Sequence, residues 1–82
     1  MELLRVARIL RADLPVVELE LTDGERRTID LTPYLSGEIF KPVRSNLAYF
    51  AQVRVDPEFQ TLCWPNGADV DPDVLLGNRP LA

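Results

Sequence analysis

Three aspartates at alternate positions, Asp69, Asp71 and Asp73, carry the densest set of oxygen ligands in this sequence. Carboxylates at this spacing begin the calcium-binding helix–loop–helix motif, so a weak divalent-ion site is one candidate chemistry here. The motif also requires a glycine at its sixth position and an acidic bidentate ligand at its twelfth. Counted from Asp69, those positions hold Val74 and Pro80, and the motif fails. The competing reading is helix capping and turn hydrogen bonds. Cys63 is a second candidate, as a nucleophile. A reactive thiol needs a base beside it and a depressed pKa, and the chain has no histidine. Cys63 lies between Leu62 and Trp64, and reads as a small apolar packing residue. Glu18 and Glu20 share one side of a strand and could serve as an acid–base pair only in a cleft that raises one pKa. They read instead as partners of Arg26 and Thr28 across a hairpin. No glycine-rich phosphate loop and no zinc spacing is present, so the sequence points away from an enzyme and calls for no cofactor.

Arg5, Arg8 and Arg11 could face a phosphate backbone. Against that stands a net charge of -4, from nine basic and thirteen acidic residues. Affinity for nucleic acid comes from clustered cations, and the ordinary reading of these arginines is cross-strand ion pairing on solvated faces. Among the aromatics, Phe40, Phe50 and Trp64 are expected in the core, leaving Tyr34 and Tyr49 available for recognition.

The elements that must position these groups fit one small domain of 82 residues, expected over residues 1–77 with a tail over 78–82. A lone cysteine in so small a chain fits a reducing cytoplasm better than a secreted scaffold. The apolar start is short and interrupted by Arg5 and Arg8, which reads as neither signal peptide nor membrane span. Residues 3–10 fit both a helical face (Leu3, Ala7, Leu10, Leu14) and a strand with Leu4, Val6 and Leu10 on one side; the β-branched Val6 and Ile9 favour the strand. Val17, Leu19 and Leu21 alternate with Glu18 and Glu20, the period of a half-buried strand. Asp23-Gly24 then turns the chain. A three-residue loop, residues 22–24, pairs Val17 with Ile29 and Glu20 with Arg26 and keeps the faces pure; a two-residue loop mixes them.

Thr32 and Pro33 predict a one-turn helix capped by Thr32 and ended by Ser36-Gly37. Residues 38–50 predict a folded-back segment, with Ser45 or Asn46 as a cap, that lays Phe40, Leu47 and Phe50 over the sheet. A second hairpin is expected from Ala51, Val53 and Val55, pairing Val53 with Leu62 and Ala51 with Trp64 around Pro57-Glu58. Asn66-Gly67 turns the chain again. Asp71 caps a final helix that has Pro72 at its first position and ends at Gly77. The class is α+β: a small antiparallel sheet of about five strands built from two hairpins, with short helical turns and a short C-terminal helix.

In this order the features resemble one known family. Asp23 and Gly24 match its strand-then-turn. Ile29-Asp30-Leu31, then Phe40, Leu47, Phe50, Val53 and Val55, match its middle spacing. Trp64-Pro65-Asn66-Gly67, with Asp69, Pro72 and Leu75, resembles its most specific motif. This is the bacterial domain-of-unknown-function family 2442. The resemblance implies a small α+β domain with no known catalysis and no established site residue. Some relatives look like halves of toxin–antitoxin gene pairs, and others carry a helix-turn-helix domain. The expected function is a non-enzymatic protein-binding or regulatory module, with half of such a pair as one candidate role and a protein partner or a second copy as candidate partners. The alternative is a nucleic-acid-associated transcriptional regulator acting with a partner.

Overall fold

In the computed structural model, which describes residues 4–76, the chain runs β1 (Val6–Asp13), β2 (Val16–Leu21), β3 (Arg26–Asp30), α1 (Lys41–Ser45), α2 (Leu47–Phe50), β4 (Arg54–Val55), β5 (Leu62–Cys63) and α3 (Pro72–Leu75). Two 3-10 turns, Thr32–Tyr34 and Glu38–Phe40, precede α1. The α+β class and the five strands agree with expectation. The strands divide, however, between two antiparallel sheets, β1-β2-β3 and β4-β5. The expected Gly77 cap, the tail over 78–82 and Leu3 lie outside the described residues.

The β2–β3 register is the one the face-purity argument selects: Val17 opposite Ile29 and Glu20 opposite Arg26. The loop between them has Gly24 at φ +89°, a conformation that costs a side chain bearing Cβ. The Gly24 N–H donates to the Leu21 carbonyl at 2.9 Å, the Leu21 N–H to the Glu25 carbonyl at 2.8 Å, and the Glu25 N–H to the Asp23 carboxylate at 2.9 Å. The same three bonds recur at Trp64-Pro65-Asn66-Gly67-Ala68. There Gly67 N–H donates to Trp64 at 3.0 Å, Trp64 N–H to Ala68 at 2.9 Å, and Ala68 N–H to the Asn66 side chain at 3.0 Å.

β1 is a strand, but not with the expected faces. Its partners on β2 run Val6 with Leu21, Arg8 with Glu20, Ile9 with Leu19, Arg11 with Glu18 and Ala12 with Val17, with register shifts between Val6 and Arg8 and between Ile9 and Arg11. Ala7 and Leu10 are therefore bulged residues, two on β1 opposing one on β2. The bulges set the inward residues three apart, Val6, Ile9 and Ala12. Leu10 does not share the face of Val6 as expected. A three-residue spacing imitates a helix, which is why the segment reads both ways.

Several local expectations change for identifiable reasons. Thr32 does not cap the first 3-10 turn; the Asp30 carboxylate accepts from both the Thr32 N–H at 2.9 Å and its hydroxyl at 2.6 Å. Asn46, rather than Ser45, caps α2 by accepting from the Tyr49 N–H. Leu47 is 62% exposed instead of lying over the sheet, whereas Phe50 is fully buried and Val43 joins it. The second hairpin pairs Val55, not Val53, with Leu62, and Arg54 with Cys63. Its loop is longer than two residues because the Asp56 carboxylate accepts from Glu58 and Phe59 N–H groups and Gln60 takes a positive φ of 52°. Ala51 is consequently exposed, in the turn after α2.

One core unites the two sheets and the helices. Val6, Val17, Leu19, Leu21, Phe50, Leu62 and Trp64 are at most 1% exposed. The sheets meet through β1, whose Val6 N–H donates to the Gln60 carbonyl at 2.9 Å. Among the described residues no helix is long and apolar enough to cross a membrane.

Candidate functional site

The carboxylates are best followed one at a time. Asp71 caps α3, accepting from Asp73 N–H at 2.9 Å and Val74 N–H at 3.4 Å, as the Asp71-Pro72 sequence predicts. Asp73 meets Arg5 at 3.3 Å, tying α3 to the start of β1. Asp69 bridges to Cys63 through its backbone. With Arg5, Phe59 and Thr61, the three aspartates line an open groove of about 540 Å³. Among the described residues, no group of three or more His, Cys, Asp or Glu is placed to hold a metal ion. Phe59, 57% exposed on the rim of this groove, was not singled out by sequence. It sits one residue before the left-handed Gln60, in the loop between β4 and β5 rather than in a strand.

The arginines that could contact phosphate each meet a carboxylate. Arg5 pairs with Asp73, Arg8 with Glu20 at 2.8 Å, and Arg11 with Asp13. The hydrogen bond from the Arg8 guanidinium holds the Glu20 carboxyl below its ordinary range, against an opposing desolvation and with lesser help from the charges of Arg8 and Arg26. A general acid needs the opposite shift. Glu18 faces Thr28 and Glu20 faces Arg26, as the hairpin register requires. Cys63 is a half-buried free thiol in β5.

The Trp64 motif is structural. Trp64 is 1% exposed. Its indole N–H donates to the Phe50 carbonyl at 3.1 Å, and its ring meets Phe40 edge-on at 6.0 Å and Phe50 at a tilt. Asn66 reaches across to the Ile39 carbonyl at 2.8 Å, and Ala68, Val70 and Leu75 complete the buried set. Tyr34 and Tyr49, expected to be available, are instead half-buried against this core.

What remains open is an edge. The bonds flanking β3, Leu21 to Glu25 and Leu31 to Pro15, direct its odd-numbered backbone groups to β2. Antiparallel pairing alternates, so Arg26, Thr28 and Asp30 turn their N–H and C=O groups outward. All three residues are exposed, and among the described residues no strand pairs with that side. The sequence indicates sheet edges in general; identifying this one requires the hairpin register together with the strand order.

Two aspartates give the molecule a pH signature. Hydrogen bonds from the Thr32 hydroxyl and then its N–H lower the Asp30 pKa, and those from the Phe59 and then Glu58 N–H groups lower that of Asp56. A carboxyl with a depressed folded pKa contributes stability above its unfolded value, and that contribution fades as pH falls through the folded value. The thermal midpoint is therefore expected to hold steady at neutral pH and to drop on acidification below the ordinary aspartate value of 3.8. Asp56→Asn, which keeps the acceptor oxygen and loses the titration, should flatten this acid limb in a calorimetric pH series; an unchanged limb refutes the assignment.

The model of one protein family, described as a protein of unknown function (DUF2442), matches residues 10–80. No curated protein and no solved structure matches the chain.

Proposed function

The chain belongs to the DUF2442 family, and from that premise we propose that it is a non-enzymatic protein-binding module that accepts an extended segment of a partner along the outer edge of β3. The observation that carries this reading is the row of outward backbone groups at Arg26, Thr28 and Asp30. Strand addition draws its affinity from such main-chain groups and its selectivity from the alternating side chains. The chemistry of the other candidates supports it. Asp71 caps α3, Asp73 ties that helix to Arg5, and the Arg8 hydrogen bond favours the ionised form of Glu20. The pairing of Arg5, Arg8 and Arg11 with carboxylates weighs against the nucleic-acid reading. A small chain made beside this one, as in a toxin–antitoxin pair, is a suitable source of the segment.

Thr28→Pro is the direct test. Proline removes an amide hydrogen that faces outward, so no bond to β2 is lost, and edge strands tolerate it. Wild-type chain purified from its own host is expected to retain a partner that slows hydrogen exchange at the Arg26, Thr28 and Asp30 amides. Thr28→Pro is expected to weaken that capture by about tenfold or more. Capture indifferent to the proline, or a partner that protects other amides, overturns the reading.

A further inference from the structure

We propose that one occupant of this edge is a second copy of the same chain, paired antiparallel about a two-fold axis through Thr28. The inference rests on reading the β3 edge as a docking surface, and the edge's own sequence carries it. About an axis at Thr28, Arg26 faces Asp30 of the second copy, Asp30 faces Arg26 of the second copy, and the two threonines face each other. Arg26, Thr28 and Asp30 are the residues whose N–H and C=O groups point outward. All three facing pairs are therefore hydrogen-bonded pairs, with two bonds at each. An isologous interface needs a self-complementary patch, and this row of five residues is one.

Charge on an edge strand ordinarily deters pairing. Here it deters every arrangement but one. Parallel pairing in register sets Arg26 against Arg26 and Asp30 against Asp30. An antiparallel shift by two residues sets Arg26 against Thr28 or Thr32 and leaves both arginines and both aspartates of the pair without an opposite charge. Only the register centred on Thr28 places both arginines opposite aspartates, and opposite charges facing each other across strands are stabilising where like charges are not. The side chains of Arg26, Thr28 and Asp30 lie on the outer face, with Glu18 and Glu20, and all three are exposed. Pairing them requires no rearrangement of the core. The product is a continuous six-stranded sheet. Strand addition over five residues covers less area than obligate dimers bury, so the dimer is a reversible one.

Sedimentation equilibrium on the full chain tests this at micromolar to millimolar concentration. Wild type is expected to follow a monomer–dimer equilibrium. Arg26→Asp leaves two acidic residues facing two acidic residues, and Asp30→Arg leaves basic facing basic. Each variant alone is expected to dimerise at least about tenfold more weakly. Mixed in equal amounts, the two variants are expected to recover association to within about threefold of wild type, because every facing pair is again of opposite charge. Trp64 fluorescence verifies that both variants keep the core. A wild-type chain monomeric at millimolar concentration overturns the proposal, as does a dimer that neither variant weakens or a mixture that fails to associate. A monomeric wild type whose partner capture still depends on Thr28→Pro removes the second copy and leaves the docking edge standing. The reverse result, a charge-dependent dimer with no other partner, leaves this inference standing and removes the heterologous partner.

Discussion

Replacing Trp64 by alanine is expected to cost about 3–5 kcal/mol, the range for removing a buried aromatic from a core. Three contacts fail together. The indole leaves a void between Phe40 and Phe50, whose rings each lie 6.0 Å from it. The Phe50 carbonyl loses one of its two donors and keeps the Val53 N–H. The loop through Asn66 and Gly67 loses the buried residue that begins it. A chain of this length has a total stability of roughly 4–12 kcal/mol, so the variant loses at least about a quarter of it. Urea unfolding followed by far-ultraviolet circular dichroism measures the loss. Trp64→Phe serves as the companion variant, since it keeps an aromatic ring and removes only the indole N–H and part of the volume. A midpoint for Trp64→Ala within about 1 kcal/mol of wild type, as for a surface change, would show that the motif is not the centre of the core.

Leu19→Ala is expected to cost about 2–5 kcal/mol. Leu19 is fully buried and sits on the middle strand of the three-stranded sheet, between Ile9 of β1 and Arg27 of β3. Strands on both sides fix its backbone, so the site has little freedom to collapse around the lost methyls. Leu47→Ala is the control. The sequence places Leu47 over the sheet, but it is 62% exposed, and its truncation should fall within about 0.5 kcal/mol. Equal losses at the two positions in urea titrations read by Trp64 fluorescence would contradict the layering described above.

The contrast between these two leucines shows where sequence reasoning works. Leu19 stands in a strict alternation with glutamates, and a one-residue slip would expose three aliphatic side chains at once. Periodicity therefore fixes its face, and the same constraint selects the loop at Asp23-Gly24. Leu47 belongs to a stretch without a period, where hydrophobicity alone cannot tell which residues reach the core. β1 was hidden differently: its pattern was regular but had the period of another element, because Ala7 and Leu10 are extra residues in the ladder. The β4–β5 register escaped because Asp56 and Gln60 build a loop through side-chain acceptance and a positive φ, neither of which a two-residue turn rule anticipates. At Thr32 the rule for caps selected a competent residue type two positions past the group that performs the task, Asp30. The candidate edge was half-legible. Alternation in β2 and β3 says which backbone groups face away from each other, but only the strand order shows that, among the described residues, no strand pairs with the far side of β3.

The twin loops after Leu21 and Trp64 have a consequence of their own. With the same local backbone bonds, a side-chain oxygen acceptor at the middle position and glycine at the third, the tripeptides Thr22-Asp23-Gly24 and Pro65-Asn66-Gly67 make the same bend. They differ in what they hold: Thr22 exchanges hydrogen bonds with the Arg5 backbone, whereas Asn66 also grips the Ile39 carbonyl, 27 residues away in sequence. Transplanting the first tripeptide into the second site would preserve the local bend while cutting the tether to the helical layer, so a single graft separates the work of reversing the chain from that of fastening it.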